Sequence, residues 1–415
     1  MTAGQKEQAH FVSGLGNATL ASQIEAERKM IPKGLTAALL ITAGALFAAE
    51  ARAAEIRLCE DEIRTAPFND ERAVQSALIQ SLAVVNRSDH PVTLTGVSFH
   101  LKSRQQVRDT RWLAPADIAN AVKQAPQIAM LDQIFPAQFC NGQLLADAKL
   151  ASSDTLAPGE ALVFLYQPFV WRGERDEIEI AIETSLDTAL KTDRIARPIV
   201  ARTSQTKALF PIPGRSFVAV AASFHTPHRW AGIEEFAYDI VALTGNGSTH
   251  RGNGARLEDY AIFGKPVRAI ADGKVVAVSN DQADNAAMLK RQGEADDAYL
   301  ARLLEGQAAL LMKGMGSVLG NHVVIDHGNG EFSIYAHLKQ GSARAALGAS
   351  VAAGETIGDV GSSGNSTEPH LHFQICDSPD IATCRPIPAS FTDYRLPLEL
   401  GPRTIQSGDL VEAVK

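Results

Sequence analysis

The stretch Gly361-Ser-Ser-Gly-Asn-Ser-Thr-Glu-Pro-His370-Leu-His372-Phe-Gln-Ile-Cys376 joins a loop of small, turn-forming residues to an alternating segment that predicts a strand. Side chains two apart on a strand share a face, so His370 and His372 project together while Leu371 and Phe373 face the core. Pro369 suits the first position of such a strand and biases Glu368 towards extended backbone. Two imidazoles on one rigid element can share a metal ion, or one can bind metal while its neighbour moves protons. Taken alone, a His-x-His fits a polar sheet face with two hydrogen-bonded histidines better, so other segments must supply partners.

Three segments upstream do so. Asn321-His-Val-Val-Ile-Asp-His-Gly-Asn-Gly330 predicts a strand ending in an Asn-Gly turn, and the return strand brings Tyr335-Ala-His337-Leu. Gly348 to Gly361 predicts a glycine-punctuated hairpin feeding the His-x-His loop. Gly264-Lys-Pro-Val-Arg-Ala-Ile-Ala-Asp-Gly273-Lys-Val-Val predicts two strands about an Asp-Gly turn.

With these pieces in order, the region from His225 to Pro379 resembles the lysostaphin-like (LytM-type) zinc endopeptidases. The resemblance rests on a His…Asp element, G-x-P-V-x-A-x-x-x-G-x-V (Gly264 to Val275), Y-A-H-L (Tyr335 to Leu338) and G-x-S-G-N-S-x-x-P-H-L-H (Gly361 to His372). It implies a β-rich peptidase domain, one Zn2+ held by two His and one Asp, and hydrolysis of peptide bonds in peptidoglycan. By correspondence, His372 is a zinc ligand, and His337 and His370 are the catalytic histidines. The compact H-x-x-x-D form fails at His250, which is followed at that spacing by Gly254. His228-Arg-Trp-Ala-Gly-Ile-Glu-Glu-Phe-Ala-Tyr-Asp239 matches better, making His228 and Asp239 the other ligands; His250 with Glu258 or Asp259 is the competing choice, and His225 lies near enough to His228 to be confused with it. His90, His100, His322 and His327 are expected to be ordinary strand or turn histidines. Backbone N–H groups of Gly361–Ser366 and the side chain of Asn321 are expected at the substrate rim.

The chemistry agrees. Two imidazoles and a carboxylate leave a tetrahedral position open, the pattern of a catalytic zinc. Bound zinc acidifies water and polarises a carbonyl, and a neutral imidazole beside it can take a proton. Two rival readings are a catalytically silent member of the family that binds wall or activates other wall hydrolases, and a biotinyl- or lipoyl-type carrier domain; the latter lacks a modifiable Lys in an apolar turn.

The chain has 415 residues, 45% hydrophobic, with a formal charge of −8, which suits two globular domains and argues against nucleic acid as the main partner. Gly34 to Ala49 is apolar, preceded by Arg28, Lys29 and Lys33 and closed by Ala51-Arg52-Ala53. That order predicts a signal peptide over 30–53, with 1–29 an upstream extension, and hence an exported, periplasmic protein touching membrane only through that segment or an uncleaved anchor. The run is somewhat short to span a bilayer. All four cysteines lie beyond it, and an even count in an exported chain suggests disulfides. Spacing does not fix their connectivity, but Cys376–Cys384 would close a local loop and leave Cys59–Cys140.

The expected architecture is mainly β. Residues 54–203 form an accessory β-sandwich of immunoglobulin type, with Ser81–Leu101 a hairpin, a second turn at Pro158-Gly159, and a helix over Leu113–Leu131. A linker over 204–217 leads to a peptidase domain over 218–396 and a tail over 397–415. The stretch 284–312, poor in glycine and with apolar residues at helical spacing, predicts a helical insertion near the site, a lid or a surface ornament. Peptidoglycan peptide stems are the expected partner; oligomeric state is not readable.

Overall fold

The computed structural model describes residues 53–67, 74–186, 189–399 and 403–414. The extension 1–29 and, but for Ala53, the leader 30–53 lie outside the described residues. Among those described, the fold is mainly β with few helices: two ten-stranded sheets and two short strand pairs.

In the N-terminal half four of the long strands are β1 (Val74–Asn86), β2 (Val92–Ser103), β3 (Glu160–Arg172) and β4 (Glu177–Leu186). β1 pairs with β3 and β2 with β4, and a two-residue parallel contact between the flanking strands links the two groups. Leu82, Val84, Leu94, Val97, Phe99, Phe164 and Ile180 from all four strands share one core, so the two groups face each other across it. The expected hairpin over Ser81–Leu101 is therefore a crossing: β1 and β2 lie in opposite layers. Inward alternation is the same whether two strands pair or face, and here Asn86 decides. Fully buried, its amide donates to the carbonyls of His90 and Leu156, each at 2.8 Å, tying one crossing to another. The Pro158-Gly159 turn crosses likewise, because Thr155–Leu156 pairs with β2 and Glu160 starts β3. Helix α1 (Pro115–Ile134) packs Ile128 and Leu131 against Ala83 and Val163.

The C-terminal sheet is centred on β5 (Tyr238–Val241), β6 (Asn321–Asp326), β7 (Phe332–Leu338) and β8 (Leu371–Cys376), in the order β6-β7-β8-β5. β6 and β7 form the expected hairpin. The Gly348–Gly361 stretch does not: its two short strands pair with different neighbours. Leu371, Phe373 and Ile375 of β8 enter the core beside Tyr335, Ile325 and Val267, so the opposite face of β8 is left for polar groups. Before β6 come α2 (Asp296–Leu311), none of whose residues is fully buried, and the short α3 (Met315–Leu319).

The two halves touch directly. Arg64 Nη1 donates to the Pro386 carbonyl, Arg385 Nη1 to that of Cys59, and the Ala137 N–H to that of Ala382. Disulfides join Cys59 to Cys140 and Cys376 to Cys384.

Candidate active site

Cross-strand register builds the centre of the site. Asp239 on β5 stands directly opposite His372 on β8, and Ala336 of β7 stands opposite His372 on the other side. Strict alternation would turn His337 to the face of Tyr335, away from Ala336 and His372, but His337 adopts a left-handed backbone, φ 59°. A non-glycine residue is rarely held there, and such strain collects at functional sites. The departure brings the His337 ring to 4.8 Å from that of His370 and 5.9 Å from that of His372, centre to centre.

His228 arrives on a loop of two short 3-10 turns, His228–Trp230 and Gly232–Glu234. The loop is anchored by its neighbour: Arg229 is fully buried, donates to Glu235 Oε1 at 2.6 Å and lies between the rings of Phe224 and Phe236. Gln80 of β1 reaches across from the N-terminal half to donate to the Arg229 carbonyl at 3.3 Å and to Glu235 Oε2 at 3.1 Å.

Asp239 thus sits among three imidazoles. His372 Nδ1 is 3.2 Å from Oδ1, His228 Nε2 is 3.3 Å from Oδ2, and His370 Nε2 is 3.5 Å from Oδ1. Burial works against the carboxylate's charge, yet His228, His370 and His372 outweigh it and hold Asp239 far below the ordinary range. Burial also opposes charging His372, but the hydrogen bond and charge of Asp239 win and raise its pKa to about 9. His337 goes the other way: burial, reinforced by His370 and His372, pushes it well below its ordinary value, so it stays neutral. Its Nδ1 faces the Ser363 carbonyl at 2.8 Å, and His370 Nδ1 faces the Glu368 carbonyl at 2.7 Å. A carbonyl only accepts, so Nδ1 carries a proton in both rings, and in the neutral His337 ring Nε2 keeps its lone pair.

Donor atoms of His228, Asp239 and His372 all lie within 4.8 Å of one another. Two imidazoles, one carboxylate and a largely buried setting match the donor set of a divalent transition-metal site with a vacant position. The cavity holding them is about 440 Å³ and is also lined by His337, His370 and Glu234. Leu300, Leu303, Leu304 and Leu311 of α2 form an apolar wall on it, and Phe135 at the end of α1 closes another side.

All five expected site residues therefore meet in one cavity. The competing His250 does not join them; it stacks against Tyr260 with ring centres 5.2 Å apart. His225 is exposed. Asn321 is no rim contact: it is fully buried and donates to the carbonyls of Gln282 and Leu338. The expected donors of the 361–366 loop are partly committed inside the fold, since Gly361, Ser362 and Asn365 give their N–H groups to the His337 carbonyl, Asp284 Oδ1 and the Val318 carbonyl. His322 and His327 spend ring nitrogens on the carbonyls of Gly320 and Asp272. Glu234, with Oε2 3.7 Å from His228 Nε2, and Gln374 on β8 were not foreseen. Gln374 had a sequence signal, being one alternation step beyond His372.

Residues 304–381 match the model of Peptidase family M23. The DD-carboxypeptidase/endopeptidase Mpg of Neisseria meningitidis serogroup B is 46% identical over 65 residues, 16% of this chain and 14% of the relative. The glycyl-glycine endopeptidase ALE-1 of Staphylococcus capitis is 28% identical over 162 residues, 39% of this chain and 34% of the relative. The alignments thus span about a third or less of these relatives' own length. Among solved structures, the catalytic domain of lysostaphin from Staphylococcus simulans matches 44% of this chain and 88% of its own, with 19% identity and a TM-score of 0.22. A zinc-containing peptidase from Vibrio cholerae matches 77% of this chain and 82% of its own, with 14% identity and a TM-score of 0.24. Within the C-terminal half, residues 304–381, which carry His337, His370 and His372, are thus similar to Peptidase family M23.

Proposed function

We propose that this protein is a Zn2+-dependent endopeptidase that hydrolyses peptide bonds in peptidoglycan cross-links. One observation carries the reading: two imidazoles and one carboxylate converge within 4.8 Å beside two further imidazoles whose Nδ1 atoms are each committed to a backbone carbonyl. His228, Asp239 and His372 would hold the ion. When bound, it supplies Lewis acidity towards a scissile carbonyl and acidifies water. His370 and His337 do the proton work. Each has its Nδ1 proton committed to a backbone carbonyl, so each receives a proton at Nε2 and can return it to a leaving amine. His337, held neutral, is poised to accept. The leucines of α2 exclude water from one side of the cavity.

In this reading the peptidase domain spans 218–396 and the N-terminal module, 54–203, is an immunoglobulin-like accessory sandwich joined to it through 204–217. The protein acts outside the cytoplasm, in the periplasm, where its two disulfides persist. The test is incubation of purified sacculi with the full chain, with and without chelator, alongside His372→Ala and a zinc assay of each sample. New peptide termini that vanish with chelator and in the variant support the reading. A folded, zinc-loaded protein that releases none refutes hydrolysis and leaves a silent wall-binding module.

A further inference from the structure

His370, His372 and Gln374 share one face of β8, and Gln374 is fully buried. Its side-chain amide is held from both ends. One end lies 2.9 Å from the Ile233 carbonyl, and the other lies 2.8 Å from His372 Nε2. A carbonyl cannot donate, so the NH2 group must be on the Ile233 side and Oε1 must face the imidazole. That same NH2 is 2.9 Å from Cys376 Sγ and 3.4 Å from Cys384 Sγ, weak acceptors of the neighbouring disulfide. Because Oε1 only accepts, His372 Nε2 must carry a proton. The nitrogen left to bind an ion is then Nδ1, the one facing Asp239. Ile233 belongs to the Gly232–Glu234 turn, on the loop that carries His228. One amide therefore links the strand bearing one imidazole to the loop bearing the other.

We propose that Gln374 is a positioning residue of the metal centre: it locks His372 with Nδ1 towards the ion and pins the His228 loop through the Ile233 carbonyl, with the Cys376–Cys384 disulfide behind it. The proposal rests on His228, Asp239 and His372 being the ligands. Partners of this kind orient ligating histidines, and their loss costs roughly 10–100-fold in metal affinity.

The experiment is Zn2+ binding by competition with a chromophoric chelator, on the full chain, for wild type, Gln374→Leu and Gln374→Glu. Gln374→Leu keeps volume and removes both hydrogen bonds; Gln374→Glu restores the acceptor for His372 Nε2. The expected result is a tenfold or greater loss in Gln374→Leu and recovery of most of it in Gln374→Glu. A folded Gln374→Leu that loses less than tenfold overturns the proposal. If that variant does not fold, 15N spectra of histidine-labelled, zinc-loaded wild type decide. A protonated Nε2 on His372 upholds the proposal, and a protonated Nδ1 overturns it. Wild type that takes up no zinc would instead defeat the ligand assignment, a separate outcome.

Discussion

In the metal-free protein Asp239 holds the His372 proton to about pH 9, against 6.5 for an ordinary imidazole. An ion arriving at Nδ1 must expel that proton. At pH 7 the two-unit gap costs about 2.7 kcal/mol, about 100-fold in apparent affinity. Affinity should therefore climb about tenfold per pH unit from 7 to 9 and then level off. The matching stability effect has a defined sign. Because the folded pKa is raised, stripped protein enjoys the full contribution below about pH 6.5 and loses about 3 kcal/mol as pH rises through 9. Asp239→Asn removes the charge that raises His372, so it should flatten the affinity slope while lowering affinity throughout. The assay is chelator competition at pH 7, 8 and 9 at fixed ionic strength, with an NMR titration of the His372 ring in stripped protein. A wild-type affinity that is flat from pH 7 to 9, or a His372 that titrates below 7, refutes the reasoning.

Three more outcomes can be checked. Burial of Glu60 Oε2, which has no partner, and then the charge of Glu235 raise Glu60 to about 7; the unfolded chain ionises near 4.5, so stability should fall as pH rises from 4.5 to 7, by at most about 3 kcal/mol. Guanidine midpoints of Glu60→Gln should show that variant gaining on wild type between pH 5 and pH 7.5. Chain-entropy arithmetic for closed loops of separation 81 and 8 gives about 4.5 and about 2.5 kcal/mol, so denaturation should find the Cys59→Ala/Cys140→Ala pair less stable than Cys376→Ala/Cys384→Ala. At Gly320, φ +67°, an added Cβ would stand 2.5 Å from the Ser363 carbonyl carbon. Gly320→Ala should shift the acceptor that holds His337 Nδ1, lowering kcat on muropeptides tenfold or more with zinc affinity unchanged.

Sequence made β8 legible because alternation alone sorts Leu371, Phe373 and Ile375 into the core and His370 and His372 onto the other face. Asp239 was readable through the resemblance, which sets an acid in a Phe-Ala-x-Asp strand after a His-Arg pair, with alternation only in support. The left-handed backbone of His337 was not, since nothing in Tyr-Ala-His-Leu marks a break in alternation. Pairing was illegible in the N-terminal half: β1 and β2 carry a pattern that suits neighbours or opposing layers equally, and the deciding contacts of Asn86 include one 70 residues away. Asn321 looked polar and near the site, but its amide is consumed by bonds from the Gln282 segment, which no local motif announces.

The grip of Gln80 on the Arg229 carbonyl and Glu235 has a practical corollary. The segment presenting His228 borrows its shape from a strand 149 residues earlier in the chain. Anyone grafting the C-terminal half onto a foreign module would have to transplant β1 as well, or redesign the residues beneath Arg229, to keep the His228 loop in its place.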